Sequence, residues 1–357
     1  MAKSLYVVGC RRCGKTLICL ALAVIFRDEG YRVGYFKPVG QMEKICGERL
    51  DYDVELMKKV LDLKEPPSIL SPVCIPKLYM DAVDYAEARA RIMETYGEVS
   101  KDKDIVLVDS ADTPETLLTK GCSVVDLAPM FGSKVFVTWR YTDDSSIDSL
   151  ALHYKFFESS GLDVVGSTLG FIPPTNIERV RRVASEALGA YGVKVLGFIP
   201  MVPELFSPTV KEVAETLGAS VLTCEDNMDR VVETFLVGAM SAESALRWFR
   251  RSRRKAVVTG GDRTDLMMAA LETDTSCLIL TGGLHPDISV LTKAEERGVP
   301  VLVVPSDTYT TIMKLRTVGM TISPENRRRI ELLVNLIRRN LDWETILREL
   351  LPERGNA

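Results

Sequence analysis

Short apolar runs alternate with segments of helical periodicity along the first two hundred residues of the chain. A continuous apolar run is typical of a strand that is buried on both faces, because both faces meet hydrophobic neighbours. The predicted strands cover residues 4–9, 31–38, 104–110, 134–139, 163–169 and 194–199, and the predicted helices among them cover residues 15–29, 51–61 and 82–100. Strands separated by helices favour a doubly wound α/β fold, in which helices cover both faces of one parallel sheet.

A second series of strands and helices follows a proline-containing stretch at residues 201–208. Its predicted strands are residues 256–259, 277–281 and 299–304, and its predicted helices are residues 208–217, 264–272, 287–297 and 308–317, followed by a charged helix near 325–349. We therefore expect a first domain over residues 1–206, a smaller α/β domain over 207–322 and a C-terminal helical extension over 323–357.

Composition and charge narrow the class of protein. The 357 residues suit two domains, and 46% hydrophobic with 26% charged residues are ordinary values for a globular chain. The net charge of −4 argues against a general nucleic-acid binder. A basic run at residues 249–255 indicates a solvated helix end, and a binding site for RNA or for an acidic partner is the alternative. No apolar run reaches membrane-spanning length and the N-terminus lacks a signal-peptide pattern, so we expect a cytoplasmic protein without a membrane partner.

Residues 9–16 match the phosphate-loop pattern G-x-x-x-x-G-K-[ST] and lie between a predicted strand and a predicted helix. Glycines in such a loop let successive N–H groups point at a phosphate, and the helix N-terminus adds positive potential. Lys15 would contact the β- and γ-phosphates, and the Thr16 hydroxyl would hold Mg²⁺. We predict ATP as the nucleotide, with GTP as the alternative, bound by Gly9, Arg11, Arg12, Cys13, Gly14, Lys15, Thr16 and Leu17.

A phosphate loop also needs an acidic residue for the metal, at the end of a neighbouring strand. Asp109 follows a wholly apolar strand and is the first candidate, with Asp112 as the alternative. Asp51 and Asp53 begin a helix, where they could simply favour its positive N-terminus or could reach Mg²⁺ or a cationic substrate. Lys37 follows another strand of the same sheet, so it could meet the γ-phosphate or an anionic substrate, or be an ordinary surface lysine. The predicted metal ligands are Thr16, Asp53 and Asp109.

Two of the eight cysteines, Cys10 and Cys13, form a C-x-x-C pair inside the phosphate loop. A second C-x-x-C is missing from the sequence, so small residues that fill loop positions are the plainer interpretation. A helix N-terminus lowers the pKa of a thiol, which leaves a redox pair as the alternative. Under that hypothesis, oxidation of the pair blocks nucleotide binding.

The phosphate loop, the phrase GYFKPVG and the segment DYDVELMKKVL together resemble the dethiobiotin synthetase-like P-loop family, over residues 3–205. The resemblance implies a doubly wound domain that binds ATP and Mg²⁺. It also implies that Lys15 and Lys37 contact phosphate and the carbamate substrate as catalytic residues, and that the loop threonine and an early aspartate bind the metal. The chain differs from the synthetase over residues 108–112 and 166–170.

Small and polar residues follow three consecutive predicted strands in the second half of the chain. Such loops gather at one end of a parallel sheet, where they could bind an anion or a nucleotide. Ordinary turn and helix-cap chemistry is the plainer alternative. The candidate second ligand site consists of Gly261, Asp262, Arg263, Thr264, Asp265 and Thr308.

The segments GGDRTD, TGG, DTYTT and VGAM resemble the DRTGG domain, over about residues 207–322. This resemblance implies a small α/β module that dimerises and senses nucleotide. The order of the two domains is similar to that in the N-terminal part of long phosphotransacetylases. We also expect a partner metabolic enzyme to which the nucleotide state is relayed, and we expect acetyl transfer to be absent from these residues.

The sequence thus predicts a Mg-ATP-binding regulatory protein, at most a weak ATPase, that forms homodimers through its DRTGG domain. The alternative from a different class is an ATP-dependent ligase that activates a carboxylate or carbamate as an acyl phosphate. A third alternative is an assembly module whose nucleotide site is vestigial.

Overall fold

The chain divides into two compact units in the computed structural model, which describes residues 2–41, 43–45, 48–81, 84–315, 318 and 322–351. Unit 1 comprises residues 1–202 together with 323–357, and unit 2 comprises residues 203–322. The C-terminal segment, expected as a separate extension, therefore belongs to unit 1.

The strands and helices follow one another in the alternating pattern of an α/β protein. The strands are β1 (Lys3–Gly9), β2 (Val33–Phe36), β3 (Val39–Gln41), β4 (Glu43–Ile45), β5 (Glu48–Leu50), β6 (Val73–Ile75), β7 (Ile105–Asp109), β8 (Lys134–Arg140), β9 (Val164–Ile172), β10 (Val195–Pro200), β11 (Ser220–Thr223), β12 (Thr234–Val237), β13 (Lys255–Gly260), β14 (Thr275–Thr281) and β15 (Val301–Val303). The α-helices are α1 (Lys15–Asp28), α2 (Tyr52–Val60), α3 (Pro67–Leu70), α4 (Tyr85–Val99), α5 (Val124–Phe131), α6 (Ser145–Ser159), α7 (Ile177–Ala190), α8 (Val210–Leu217), α9 (Ala242–Arg251), α10 (Thr264–Leu271), α11 (Ile288–Arg297), α12 (Thr308–Leu315), α13 (Arg327–Asn340) and α14 (Trp343–Leu350).

The sheet of unit 1 has six parallel strands in the order β10-β9-β8-β1-β7-β2. Its central strands read as continuous apolar runs because helices bury them on both faces. After β1 the chain forms the edge strand β2, returns to β7 next to β1, and then continues outward on the other side through β8, β9 and β10. Such a reversal of strand order opens a crevice at the carboxyl ends of the strands, which places the loop after β1 in its centre. The predicted fold class is confirmed.

Helix α1 is buried over most of its surface, because the sheet covers one side and α13 packs against it as well. Helix α13 contributes an apolar stripe that includes Ile330, Leu333 and Ile337. Its end approaches β10 so closely that a Cβ at Gly197 would lie 2.3 Å from the carbonyl oxygen of Asn340. The C-terminal segment therefore completes the core of unit 1.

The single charged helix predicted near residues 325–349 is in fact two helices, α13 and α14. Leu341 between them has extended backbone angles, and the Asp342 N–H donates to the Leu196 carbonyl at 2.8 Å. The Asp342 carboxylate then caps α14 by accepting the Thr345 N–H at 3.0 Å. This break lets the chain turn where it meets β10.

The sheet of unit 2 has the order β11-β15-β14-β13-β12, with β11 antiparallel and the other strands parallel. Alternate residues of β13 and β14 enter two separate core clusters, one on each face of the sheet. Val257 and Leu278 lie in the first cluster, and Val258 and Ile279 in the second. Unit 2 therefore has a core of its own.

The edge strands β11 and β12 were not among the predicted strands. Their residues are mostly half-buried, so neither strand carries the continuous apolar run that marks a central strand. Within the described residues, no helix combines the length and apolar composition that crossing a membrane requires.

Candidate functional site

The phosphate-loop segment, residues 9–16, connects β1 to α1 at the carboxyl edge of the first sheet. A Cβ at Gly9 would lie 2.0 Å from the carbonyl oxygen of Thr138, so glycine is needed at this strand end. Arg12 and Gly14 have φ values of 55° and 84°, which turn the loop back onto the N-terminus of α1. The predicted nucleotide-binding residues lie together, and their role in binding stays a prediction.

The Lys15 ammonium lies inside this loop and is almost completely buried. Its Nζ donates hydrogen bonds to the carbonyl oxygens of Asp112 at 2.8 Å, Cys10 at 3.1 Å and Gly9 at 3.4 Å. These acceptors hold a positive charge at the loop, where a phosphate group would be the matching anion.

Asp109 ends β7 beside the loop, and its carboxylate is buried. The Thr16 hydroxyl donates to Oδ2 at 2.7 Å, and the hydroxyl of Tyr35 donates to the same oxygen at 3.0 Å. The other oxygen, Oδ1, has no hydrogen-bond partner among the described residues. Burial raises the pKa of Asp109 to about 6, because a buried carboxylate loses its hydration. Tyr35 was not a predicted site residue, since nothing in an apolar strand marks one hydroxyl as functional.

Lys37 lies just past β2, and its ammonium sits between two carboxylates. Nζ is 3.0 Å from Oδ2 of Asp51 and 2.5 Å from Oδ2 of Asp53. Asp51 also caps α2, because its Oδ1 accepts the N–H of Asp53 at 3.0 Å. A Cβ at Gly40 would lie 2.6 Å from Oδ2 of Asp51, so this close approach requires glycine. Lys37 is therefore a buried ion-pair residue rather than an ordinary surface lysine.

The electrostatics of this cluster keep Lys37 and Asp53 charged. Burial lowers the pKa of Lys37, but the carboxylates of Asp53 and Asp51 outweigh burial, and the pKa is raised. Burial raises the pKa of Asp53, but the Lys37 charge outweighs it, and the pKa is lowered. Thr16, whose hydroxyl donates to Asp109, is also among the groups that lower the pKa of Asp53.

The predicted metal set of Thr16, Asp53 and Asp109 fits Mg²⁺ bound together with a nucleotide. Mg²⁺ is commonly held by one or two carboxylates and by substrate phosphates. The orphaned Oδ1 of Asp109 is a buried oxygen that a cation would satisfy. Among the described residues, no cluster of three or more His, Cys, Asp or Glu side chains could hold a metal ion by itself.

Asp112, the alternative metal acid, forms an ion pair with Arg11. Its carboxylate pairs with Nε of Arg11 at 2.5 Å, and the Arg11 side chain is 67% exposed. The structure therefore favours Asp109 over Asp112 as the acid beside Thr16.

Each of the two loop cysteines changes the pKa of the other. The Cys13 thiol donates to the Cys10 sulfur, and this hydrogen bond lowers the pKa of Cys10 to about 7 against the opposing effect of burial. The N–H of Arg140 also donates to the Cys10 sulfur, at 3.4 Å. Burial raises the pKa of Cys13. Cys10 therefore ionises more readily than an ordinary thiol, and Cys13 ionises less readily.

The opposite flank of the loop, next to β8 and β9, carries two side chains that no motif marks. Arg140 ends β8, and its guanidinium carbon lies 4.3 Å from the centroid of the Phe171 ring. Nη1 of Arg140 donates to the carbonyl oxygen of Arg12 at 3.2 Å. The Phe171 ring would lie 3.1 Å from a Cβ at Gly14. The sequence marked Arg140 only by its position, because it directly follows the predicted strand 134–139 and residues past strand ends lie at the ligand-binding edge of a parallel sheet.

The loops of the candidate second ligand site follow β13, β14 and β15 at one edge of the second sheet. The hydroxyls of Thr308 and Thr281 lie 2.8 Å apart. Thr259, which precedes the glycines of the first loop, has a buried Oγ1 without a hydrogen-bond partner in the described part of the chain. The three loops are thus brought together as predicted from their positions.

Other residues of that site make turn contacts. Arg263 pairs with Asp265 at 3.1 Å and donates to the carbonyl oxygen of Met240 at 3.0 Å. A Cβ at Gly261 would lie 2.1 Å from the carbonyl oxygen of Leu284, so this glycine serves close packing between loops. Ligand binding by this second set stays a prediction, and Asp262 and Thr264 belong to it only by position.

Two protein families match the chain. The family described as an AAA domain matches residues 3–209, which is more than half of the chain. The family described as a DRTGG domain matches residues 212–318. The expected pairing of a P-loop domain with a DRTGG domain is confirmed.

Known relatives agree with this pairing. The phosphate acetyltransferase of Nitratidesulfovibrio vulgaris is 25% identical over 379 residues, which cover 100% of this chain and 53% of that protein. The ATP-dependent dethiobiotin synthetase BioD of Bacillus thuringiensis is 29% identical over 209 residues, covering 57% of this chain and 84% of that protein. The chain spans about half the length of the phosphate acetyltransferases that it matches. Among solved structures, the cell division ATPase MinD of Pyrococcus furiosus is 17% identical with a TM-score of 0.36, covering 57% of this chain and 86% of that chain.

Proposed function

Because the chain belongs to the family described as an AAA domain and also carries a DRTGG domain, we propose that it is a regulatory protein that binds ATP together with Mg²⁺. The observation that carries the proposal is the buried carboxylate of Asp109. One of its oxygens accepts the Thr16 hydroxyl at 2.7 Å and the other has no partner among the described residues. Lys15 lies one residue before Thr16 with its ammonium held at the loop. A metal-bound polyphosphate would satisfy both charges at once.

The proposed roles follow from these positions. Gly9 and Gly14 let the loop backbone approach the phosphates, and Lys15 contacts the β- and γ-phosphates. Thr16, Asp53 and Asp109 hold Mg²⁺, which when bound neutralises phosphate charge. The remaining loop residues Arg11, Arg12, Cys13 and Leu17 surround the phosphates.

The second unit is proposed to dimerise and to relay the nucleotide state to a partner metabolic enzyme. Its match to the DRTGG family and the phosphate acetyltransferase relatives of the whole chain support this role. Sedimentation velocity at several protein concentrations, with and without Mg-ATP, tests dimerisation. An acetyl-CoA:phosphate exchange assay tests the prediction that these residues do not transfer acetyl groups.

The decisive experiment measures the binding and steady-state hydrolysis of ATP and GTP with Mg²⁺, in the wild type and in Lys15→Ala. We expect the substitution to weaken ATP binding by about 10–100-fold, because it removes charge-assisted hydrogen bonds to phosphate. Lys101→Ala is the matched control, since Lys101 is exposed in the turn before β7, at the sheet edge opposite the phosphate loop. Failure of the wild type to bind either nucleotide would refute the proposal.

The ligase alternative is favoured by one specific observation, the buried Lys37 ammonium next to Asp51 and Asp53. In that reaction a carboxylate or carbamate oxygen attacks the γ-phosphorus, the bond from the γ-phosphorus to the bridging oxygen breaks, and ADP leaves. Lys15 and Lys37 would neutralise charge on the transferred group. A burst of phosphate release that requires an added carboxylate or amine, and that Lys37→Ala abolishes, would support the ligase. Hydrolysis that no such compound stimulates would favour the regulatory role.

A further inference from the structure

We infer that Arg140 and Phe171 form the platform on which the base of a bound nucleoside triphosphate stacks. This inference rests on the proposed nucleotide binding and deepens it, because it assigns the opposite end of the same ligand. Neither residue belongs to the phosphate-loop motif.

The two flanks of the loop differ in chemistry. β1 lies between β7 and β8, so the loop after it has one flank towards β7 and another towards β8. The β7 flank carries the buried carboxylate of Asp109 and the ammonium of Lys37, whereas the β8 flank carries a planar guanidinium stacked on an aromatic ring. A nucleoside triphosphate has the same polarity, with a charged polyphosphate at one end and an aromatic base at the other. A triphosphate directed towards Thr16 and Asp109 places the base on the β8 flank.

The pair is positioned above the end of β1. Gly9, the last residue of β1, pairs with Thr138, and Arg140 pairs with Gly170 two residues further along β8. Arg140 and Phe171 therefore lie beyond the strand end from which the loop departs. Ligands of open parallel sheets bind in this region, beyond the carboxyl ends of the strands.

Contacts tie the pair to the loop itself. The Arg140 guanidinium lies 4.3 Å from the Phe171 ring centroid and donates to the Arg12 carbonyl at 3.2 Å. The Phe171 ring would lie 3.1 Å from a Cβ at Gly14, the residue that precedes α1. The two side chains thus border the loop rather than the outer surface of the sheet. Arginine and aromatic planes are the groups on which bases stack irrespective of base identity.

The backbone of Phe171 gives independent support. Its φ of 60° lies in the left-handed region, which is strained for a residue with a bulky side chain. Glycine would adopt this conformation without the same steric conflict. Strain of this kind in an aromatic residue that borders a binding loop points to a function of the ring.

The test compares two ligands that differ only in the nucleoside. Calorimetric titrations with Mg²⁺ use ATP and inorganic tripolyphosphate, against the wild type, Phe171→Gly and Phe171→Tyr. Glycine suits the backbone at this position, so Phe171→Gly removes the ring without adding strain. Loss of the ring is expected to weaken ATP binding about tenfold and to leave tripolyphosphate binding unchanged. Phe171→Tyr, which keeps an aromatic ring, is expected to bind ATP within about twofold of the wild type.

Arg140→Ala is a second variant with the same expected selectivity, and thermal unfolding confirms that each variant is folded. Equal weakening of both ligands would assign the pair a structural role in the loop and overturn the inference. Unchanged ATP binding in Phe171→Gly would also overturn it. If the wild type binds tripolyphosphate and ATP equally well, the phosphate loop works but the base has no platform. If it binds neither, the proposed function fails and this inference with it.

Discussion

The carboxylate of Asp109 carries a free-energy cost that its surroundings offset only in part. Oδ2 accepts hydrogen bonds from Thr16 and Tyr35, and Oδ1 has no partner among the described residues. Burial raises its pKa to about 6, whereas the unfolded chain binds this proton only below about pH 4. The folded state therefore holds the extra proton between these values. Without metal, its stability falls as the pH rises from about 4 to about 6 and stays lower above that range.

We predict that Asp109→Asn stabilises the metal-free protein and impairs Mg-ATP binding. The amide oxygen keeps the hydrogen bonds from Thr16 and Tyr35, and the variant carries no buried charge. A shift of about two pKa units corresponds to roughly 1–3 kcal/mol of unfolding free energy at pH 8. Urea unfolding with EDTA at pH 8 and at pH 4.5 measures the difference, which shrinks at the lower pH.

Asp112→Asn is the control for this prediction, because the Asp112 carboxylate pairs with the exposed Arg11. Its substitution is expected to change the stability at pH 8 by less than about 1 kcal/mol. Destabilisation of Asp109→Asn at pH 8 would show that the carboxylate stabilises the apo fold, contrary to the electrostatic argument.

The loop thiols make a second prediction at the residue scale. Because its pKa is lowered to about 7, Cys10 is expected to react with iodoacetamide at a rate that reaches half its maximum near pH 7. Cys13→Ala removes the thiol that donates to Cys10, so the midpoint moves to higher pH. Mass spectrometry of the alkylated protein measures the rate at each pH. Cys74, whose pKa burial raises, is the internal reference.

The same pair tests the oxidation hypothesis. Peroxide would convert the two thiols into a disulfide with release of two waters, and the constrained loop is expected to lose ATP binding. Cys10→Ala cannot form this bond and should keep its ATP binding after the same treatment. Unchanged binding after verified formation of the Cys10–Cys13 disulfide would leave the two cysteines as residues that only fill the loop.

At the scale of elements, central strands and the phosphate loop could be predicted from the sequence. Strands β1, β7 and β8 are buried on both faces, and burial on both faces produces the apolar runs that were predicted as strands. The backbone of the phosphate loop approaches its neighbours so closely that glycine is required, and the glycines of residues 9–16 are therefore visible in the sequence. Asp109 was predictable because it is the acidic residue at the end of an apolar run.

Other parts of the site depend on tertiary contacts that no local pattern records. The ion pairs of Lys37 with Asp51 and Asp53 join a strand end to a helix cap. From the sequence, Asp51 and Asp53 could each either favour the helix N-terminus or bind a metal. In the structure, Asp51 pairs with Lys37 and also caps the helix. The left-handed backbone of Phe171 could not be predicted, because phenylalanine does not favour that conformation. These residues needed coordinates because their positions come from the way separate elements meet.

At the scale of the whole molecule, unit 1 draws its core from both ends of the sequence. Helix α13 packs against α1, the helix that follows the phosphate loop, and Leu333 of α13 is 2% exposed. Arg338 of α13 also pairs with Asp28 at the end of α1, at 2.6 Å. Unit 2 is compact and has its own two core clusters. Nucleotide binding in unit 1 should therefore be linked to the C-terminal helices and not to the core of unit 2.

This linkage predicts which unfolding transition each substitution changes. We expect two transitions, of which Mg-ATP raises only that of unit 1, because a ligand stabilises the unit that binds it. Leu333→Ala should lower that same transition by about 2–4 kcal/mol, although it lies more than three hundred residues from the loop in sequence. Leu266→Ala, which removes a fully buried side chain from the core of unit 2, should lower the other transition. Calorimetric scans with and without Mg-ATP separate the two. If Leu333→Ala lowered a transition that Mg-ATP does not move, the C-terminal helices would be energetically separate from the phosphate-loop domain.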